Sequence, residues 1–536
     1  MTDAAAVPEA ATRLIHRLVR GAHASPEAVG GLLAVLRTDP ALFFPLVLAE
    51  RGHGRLDAVV AEEVRSAALT HEMADTWHRM LPWGPGVFPR TALALAERCC
   101  EQAGTDADRA VAHRRRGARL KAVGRLREAV AATEESVELH RRAAAPEDHE
   151  RRADLAGALR NLALGLSEIG RHREAVAAGE EAVAILRLPV TAGREARTTE
   201  LAHALLSLGT ALDAMGRTPE GLASAEEAVA LVRELSERDP RAHAVGLAEA
   251  LTGLGGHFTR VGRSREALEA AQEAVATWRR LVTEDPEAHT SRLARSLLNL
   301  GVQLLQVGRR REGIEATREA LHVGRRLATE LPEVAAPLVA LALHNLGAQL
   351  GVTGERNEAF EAAKEAVHLY RRLATADPRT YTLRLAEALH SFAARCGVLR
   401  RRGQALRANE EAVTLLRRLV ADSPGAHEAA LATALGGLAV EHEEAGQHLA
   451  ALETTQEAVR MFRGLEIRNP QAHTPHLALL LRNHAVLLEK SGERHAALAA
   501  AEESLALFTL LHGDLPQVYA DGVRATRTLL DGLREE

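Results

Sequence analysis

Asparagine returns at one phase of this 536-residue chain: Asn161, Asn299, Asn345 and Asn483 are spaced by multiples of 46 residues. Ser207 and Ser391 hold the same slot in two other places, and Gly253 and Gly437 leave it without a polar group. A carboxamide is donor and acceptor at once, so a row of them could pair with the backbone of an extended chain. Arg160, Arg295, His344, His390 and Arg482 stand beside the row and make the strip polar and mildly basic. Such a strip suits an extended or acidic peptide. The two glycines argue against a uniform code along it.

Other constellations carry less chemistry. His243, His289, His427 and His473 share a second phase, but one imidazole per unit is too few for a metal. They are expected to cover a turn and bond to backbone groups. His71 and His78 fall two turns apart on one helix face with no third ligand, so a partly exposed pair is expected there. There is no Gly-x-x-x-x-Gly-Lys-[Ser/Thr] cradle, no dinucleotide fingerprint after a strand and no Gly-x-Ser-x-Gly elbow. The expectation is a protein without enzymatic activity, cofactor or metal.

Composition narrows the partner. The net charge is -5 and no basic tract runs along the chain, which disfavours nucleic acid and anionic membrane surfaces. No secretory signal pattern opens the sequence, and no apolar run approaches bilayer length. Cys99, Cys100 and Cys396 cannot all pair, which excludes a disulfide framework. A cytoplasmic location is expected, with a protein or peptide as partner and self-association allowed.

The elements that must position the asparagines repeat with them. Gly124, Gly170, Gly216, Gly262, Gly308, Gly354, Gly446 and Gly492 are in phase at 46 residues, with Arg400 in the remaining slot. A fixed period of this size marks one supersecondary unit stacked on copies of itself. In the unit from Asp285 to Glu330, Asp285-Pro286 is a helix start, an N-cap candidate followed by proline at the first position. Leu293, Leu297, Leu300, Leu304 and Val307 then recur on one helical face, and Gly308 ends it. A second helix runs through Ile314, Ala320, Leu321 and Leu327. Each helix leaves an apolar stripe that only a neighbouring unit can cover. Ala or Gly stands at Ala267, Gly313 and Ala359 and in their phase-mates, and mostly Ala at Ala274, Ala320 and Ala366. Those slots are where helices must nearly touch.

This pattern resembles the tetratricopeptide repeat. Leu254-Gly255, Phe258, Gly262, Ala267 and Ala274 fit it fully, and Leu300-Gly301, Leu304, Gly308, Gly313 and Ala320 fit with Gly for Ala. The usual early aromatic is replaced by Leu297, and the unit is longer than the common form, closer to kinesin-light-chain-like and bacterial multi-repeat proteins. The resemblance implies an all-α, right-handed superhelical solenoid of about nine helix pairs. It implies that first helices line the concave face, and that asparagines in this slot contact the backbone of a bound peptide. It therefore implies an interaction scaffold or adaptor. A regulatory or sensor subunit of a separately encoded signalling ATPase or protease is the alternative.

Domain boundaries follow. Residues 1–105 lie outside the period and form a helical region of unknown role, with helices at Ala41–Glu50, Leu56–Leu69, His71–Leu81 and Thr91–Gln102. Between the last two, a loop packed by Trp83 and Phe88 is expected. Residues 106–514 form the repeat array and 515–536 a capping helix. At the irregular rung, Arg400, Arg401 and Arg402 precede a displaced Gly403, so a lengthened turn with solvated arginines is expected.

Overall fold

The computed structural model describes residues 26–39, 54–66, 69–81, 88–122, 125–143, 148–188, 194–330, 332–422, 425, 427–468, 470–514 and 516–535. Among them the regular elements are α-helices and none is a strand. An N-terminal group comprises α1 (Pro26–Thr38), α2 (Gly54–Ser66), α3 (His71–Met80) and α4 (Pro89–Gln102). Helices then alternate as first and second members of pairs. They are α5 (Asp106–Ala122) with α6 (Leu126–Ala143), α7 (His149–Glu168) with α8 (His172–Leu186), and α9 (Arg194–Ala214) with α10 (Thr218–Arg238). Next come α11 (Pro240–Arg260), α12 (Ser264–Glu284), α13 (Pro286–Gln306), α14 (Arg310–Glu330), α15 (Pro332–Thr353) and α16 (Arg356–Ala376). The series continues through α17 (Pro378–Val398), α18 (Arg402–Asp422), α19 (Glu428–Glu444) and α20 (His448–Arg468). It closes with α21 (Pro470–Lys490), α22 (Arg494–Asp514) and α23 (Pro516–Glu535). The chain divides into two compact units, Met1–Ala274 and Val275–Glu536.

Local chemistry sets the helix ends. Asp285 accepts a hydrogen bond from the Ala288 N–H at 3.1 Å, and Asp239 accepts from Arg241 and Ala242, so each carboxylate satisfies orphan donors at a helix start. Proline follows each of them, where its missing N–H removes nothing. At the exit of α13, Gly308 has φ 80°, and the Arg309 N–H reaches back to the Leu304 carbonyl at 2.8 Å. Arg309 then clasps Glu312 at 2.7 and 2.5 Å, starting α14.

Small residues do stand where backbones meet. A Cβ on Gly301 would lie 2.9 Å from the Gly313 carbonyl oxygen, and one on Gly313 would lie 2.8 Å from that of Gly301. Overpacking such a crossing costs about 1–3 kcal/mol. Ser136 and Ser504, which replace Ala in the neighbouring slot, spend their hydroxyls on the Ala110 and Ala478 carbonyls at 2.7 Å.

Within each unit the first helices of successive pairs pack directly on one another: α7 on α9 and α9 on α11, then α13 on α15, α15 on α17 and α17 on α19. Second helices are instead tied by arginine–glutamate pairs forty residues apart. Arg141–Glu181, Arg187–Glu227 and Arg233–Glu273 do this in the first unit. Arg279–Glu319, Arg325–Glu365, Arg371–Glu411, Arg417–Glu457 and Arg463–Glu503 do it in the second. These side chains are half-exposed, so each pair contributes at most about 1 kcal/mol. Side chains bridge the second helices, whereas the first helices touch, so the first-helix side is the inner side locally.

Several expectations change. The turn after α17 is not lengthened: Arg400 itself takes the left-handed conformation, φ 57°, and α18 begins in phase with Gly403 inside it. A non-glycine residue there costs about 1–2 kcal/mol. Its arginines are exposed, as expected, with Arg401 4.1 Å over the Phe360 ring and Arg402 paired with Glu444 at 3.0 Å. The stretch Ala335–Thr353 is long and apolar enough to cross a bilayer, with mean hydropathy 1.3, contrary to the sequence reading. Half of it is buried, and α15 packs on α14, α16 and α17.

His289 and His473 stack toward Trp278 and Phe462, at 5.8 and 6.1 Å between rings, and the His289 Nδ1 has no hydrogen-bond partner. Two of the four thus lie against aromatic rings, and His243 stands 3.8 Å from Glu195. In the N-terminal group, α1 was not foreseen; its Leu32 and Leu36 join Val60, Val64, Trp77 and Leu95 in a core. The helix expected at Ala41–Glu50 and the loop residue Trp83 lie outside the described residues. Phe88 is buried and precedes α4 with φ 48°. Buried Asp57 of α2 supplies the missing cap, accepting from the Arg90 and Thr91 N–H groups at 2.9 and 2.8 Å.

Candidate partner-binding face

All four asparagines lie on first helices: Asn161 on α7, Asn299 on α13, Asn345 on α15 and Asn483 on α21. Asn299 is exposed and the other three are half-buried. None of their carboxamides bonds to another described residue, so they do not tie adjacent helices together. The serines differ, because Ser207 donates to its own helix at the His203 carbonyl, 2.9 Å away.

The neighbouring cations are weaker than their residue types suggest. Arg160 stands 3.8 Å from Glu200 of the next first helix. His344 is half-buried, and burial holds its imidazole below the usual range, against the opposing pull of Glu387. His390 is likewise held down by burial, although its Nδ1 lies 3.0 Å from Asn409 Oδ1 on α18. Of the arginines, Arg295 is exposed and Arg482 half-buried.

One turn beyond the asparagine slot the structure places a column that the sequence reading missed: His257 in the first unit, and Gln303, Gln349, Arg395 and Glu441 in the second. His257, Gln303, Gln349 and Glu441 are buried. Each side chain whose contact is resolved reaches the first helix of the preceding pair. A Cβ on Gly301 would lie 3.4 Å from Gln349 Nε2, and one on Gly351 would occupy the space of the Arg395 guanidinium. His257 Nδ1 lies 2.7 Å from Asp213 Oδ2, which Arg260 also meets at 2.7 Å. Glu441 faces Gly397, where a Cβ would lie 3.6 Å from Oε1. Burial, with Glu444 adding, pushes its carboxyl up to about 7.

Glu441 lines a cavity of about 580 Å³ together with His390, Ala394, Val398, Asn409 and Gly437. At Gly437 the asparagine slot is empty for a physical reason. A Cβ there would come within 2.5 Å of the His390 ring and 3.3 Å of Asn409 Nδ2.

The remaining candidates carry no site chemistry. His78 is fully buried rather than partly exposed, and it accepts from Arg119 Nε at 3.3 Å. Burial, with Arg119 and Arg115, depresses it to about 4. Burial raises the Cys99, Cys100 and Cys396 thiols to about 11, 12 and 11, which makes them poor nucleophiles. No group of three metal-ligating side chains occurs among the described residues.

A tetratricopeptide-repeat family model matches residues 339–377. A model of anaphase-promoting complex subunit 5 matches residues 138–188, 191–252 and 249–330. No curated protein matches the sequence. Among solved structures, BtubC (BKLC) from P. vanneervenii is similar at 21% identity, over 47% of this chain and 92% of that one, with a TM-score of 0.38. A Rap protein complexed with competence and sporulation factor is similar at 13% identity, over 75% and 99%, with a TM-score of 0.47. TPR-like repeats of a putative kinesin light chain from Podosopora anserina are similar at 19% identity, over 42% and 99%, with a TM-score of 0.34. With helices crossing at Gly and Ala, left-handed turn glycines and a repeat model matching residues 339–377, these helix pairs are tetratricopeptide-like repeats.

Proposed function

We propose that this protein is a non-enzymatic interaction scaffold that holds an extended peptide or protein segment along its first helices. The observation that carries this reading is the row of asparagines. Asn161, Asn299, Asn345 and Asn483 keep both donor and acceptor uncommitted on the side where first helices meet. Uncommitted carboxamides in register with a repeat are suited to an extended backbone, which presents its own donors and acceptors at regular intervals. Arg295 and Arg482 add two points at which an acidic side chain of the partner would be held.

The test is capture from native host cells by the full chain, with the triple variant Asn299→Ala, Asn345→Ala, Asn483→Ala alongside. Circular dichroism is expected to show an unchanged helical fold, because none of the three side chains bonds to another described residue. Three lost hydrogen bonds at roughly 0.5–1.5 kcal/mol each predict a fall in affinity on the order of tenfold to a thousandfold. A partner held equally by the variant sinks the reading.

A further inference from the structure

We propose that the cavity beside Gly437 binds the charged end of an alkylammonium or alkylguanidinium group, the chemistry of a lysine or arginine side chain. The cavity lies between α17 and α19, with α18 behind it, and its polar floor is the Glu441 carboxylate. Glu441 is 6% exposed overall, and its carboxylate opens onto the cavity with no side-chain partner among the described residues. A buried carboxylate without a donor is costly, and a cation delivered to it recovers that cost.

Three further features fit the same ligand. Val398 and Val440 line the cavity and are half-exposed, at 51% and 48%, which suits the methylene stem of a long cationic side chain. Gly397 keeps the approach to the carboxylate clear. With its proton on Nδ1 toward Asn409, His390 presents Nε2 as a second acceptor. An anion is disfavoured, because Arg402 is spent on Glu444 and Arg400 is a solitary exposed cation at the rim. Burial raises the Glu441 carboxyl, so a bound cation is expected to release its proton and binding is expected to strengthen from pH 6 to pH 8.

The inference rests on the scaffold reading only for the peptide source of the cation, so the experiment separates the two. The full chain is titrated with n-butylguanidinium and n-butylammonium, with n-butanol and sodium chloride as controls, and followed by ligand-observed NMR. Binding of the two cations and not of butanol is expected, weakened on the order of tenfold or more in Glu441→Gln. Gly397→Leu fills the approach without touching the carboxylate, and it is expected to abolish binding while the helical fold is kept. No binding of either cation, or equal binding by wild type and Glu441→Gln, overturns the inference. Short Ser-Ala peptides with one central guest residue then identify the source. Selective retention of the Lys and Arg guests, lost in Glu441→Gln, supports a peptide side chain. Binding of butylguanidinium without retention of any peptide supports the cavity with a free amine and counts against the scaffold. Retention of peptides regardless of guest, without butylguanidinium binding, keeps the scaffold and overturns the cavity.

Discussion

His257 and Glu441 occupy the same place in two repeats, one turn after a glycine that vacates the asparagine slot, yet they solve burial in opposite ways. In the first unit the facing position on the preceding first helix is Asp213, 2.7 Å from His257, with Arg260 closing over it. In the second unit the facing position is Gly397, and Glu441 is left without a partner beside an open cavity. The first site brings opposite charges together within the chain. The second lacks one charge, and this difference marks it as a place for a ligand rather than a structural brace.

Removing the brace should have the largest effect. Asp213→Ala takes away the carboxylate that both His257 and Arg260 face, in a pocket where its side chain is only 5% exposed. Breaking a buried charged cluster by removing one member costs about 3 kcal/mol. Urea denaturation should show that loss, and hydrogen exchange should place it in α9 and α11. If Asp213→Ala matched wild type within about 0.5 kcal/mol, the closed site would be no brace and the contrast would fail.

The open site should instead show a pH signature. Glu441 is an acid whose folded value is raised from 4.5 to about 7. Below about pH 4.5 it is protonated in both states and contributes nothing. As pH rises toward 7 the unfolded chain ionises first, so stability falls, and above 7 the loss is constant. One pKa unit is about 1.4 kcal/mol, so the total is on the order of 2–3 kcal/mol. The groups around it are His390, Cys396, Arg400, Arg402 and Glu444, and all remain in Glu441→Gln. Denaturation midpoints from pH 4 to 8 should therefore flatten in that variant relative to wild type. A parallel pair of curves would mean that Glu441 ionises freely in the fold.

Why the asparagines were legible in the sequence and Glu441 was not has a physical cause. The asparagine row and the turn glycines repeat as one residue type, so a period finds them. So do the capping aspartates and the Gly301–Gly313 crossing, because each acts within one helix pair. The column of His257, Gln303, Gln349, Arg395 and Glu441 changes type at every step, and its burial comes from the preceding pair. The helical period of α19 marks the face toward its own second helix, and it says nothing of which polar position a neighbouring first helix will cover. The arginine–glutamate rungs between second helices escaped for the same reason, since forty residues separate partners whose phases differ by six. Arg400 shows the converse: the period named its slot, but not that arginine would accept a glycine's conformation there.

The smallest effect should come from supplying the missing partner. A Cβ at Gly397 would stand 3.6 Å from Glu441 Oε1, so the hydroxyl of Gly397→Ser, one bond further out, falls within hydrogen-bond reach. The site has room, because that oxygen is the nearest neighbour of the added atom and the glycine has an ordinary helical conformation. A hydroxyl donating to a buried carboxylate favours its ionised form, so the Glu441 carboxyl should move down toward its ordinary range. Stability at pH 8 should rise by about 1 kcal/mol, the usual net value of one such bond, and the rise should shrink toward pH 5, where the carboxyl is protonated in the folded protein. A serine also forms helix more readily than glycine, but that contribution does not change with pH. The measurement is thus the difference between the gains at pH 8 and pH 5. A gain that is equal at both would assign the effect to helix propensity alone, and Gly397 would then be no counterpart of Asp213.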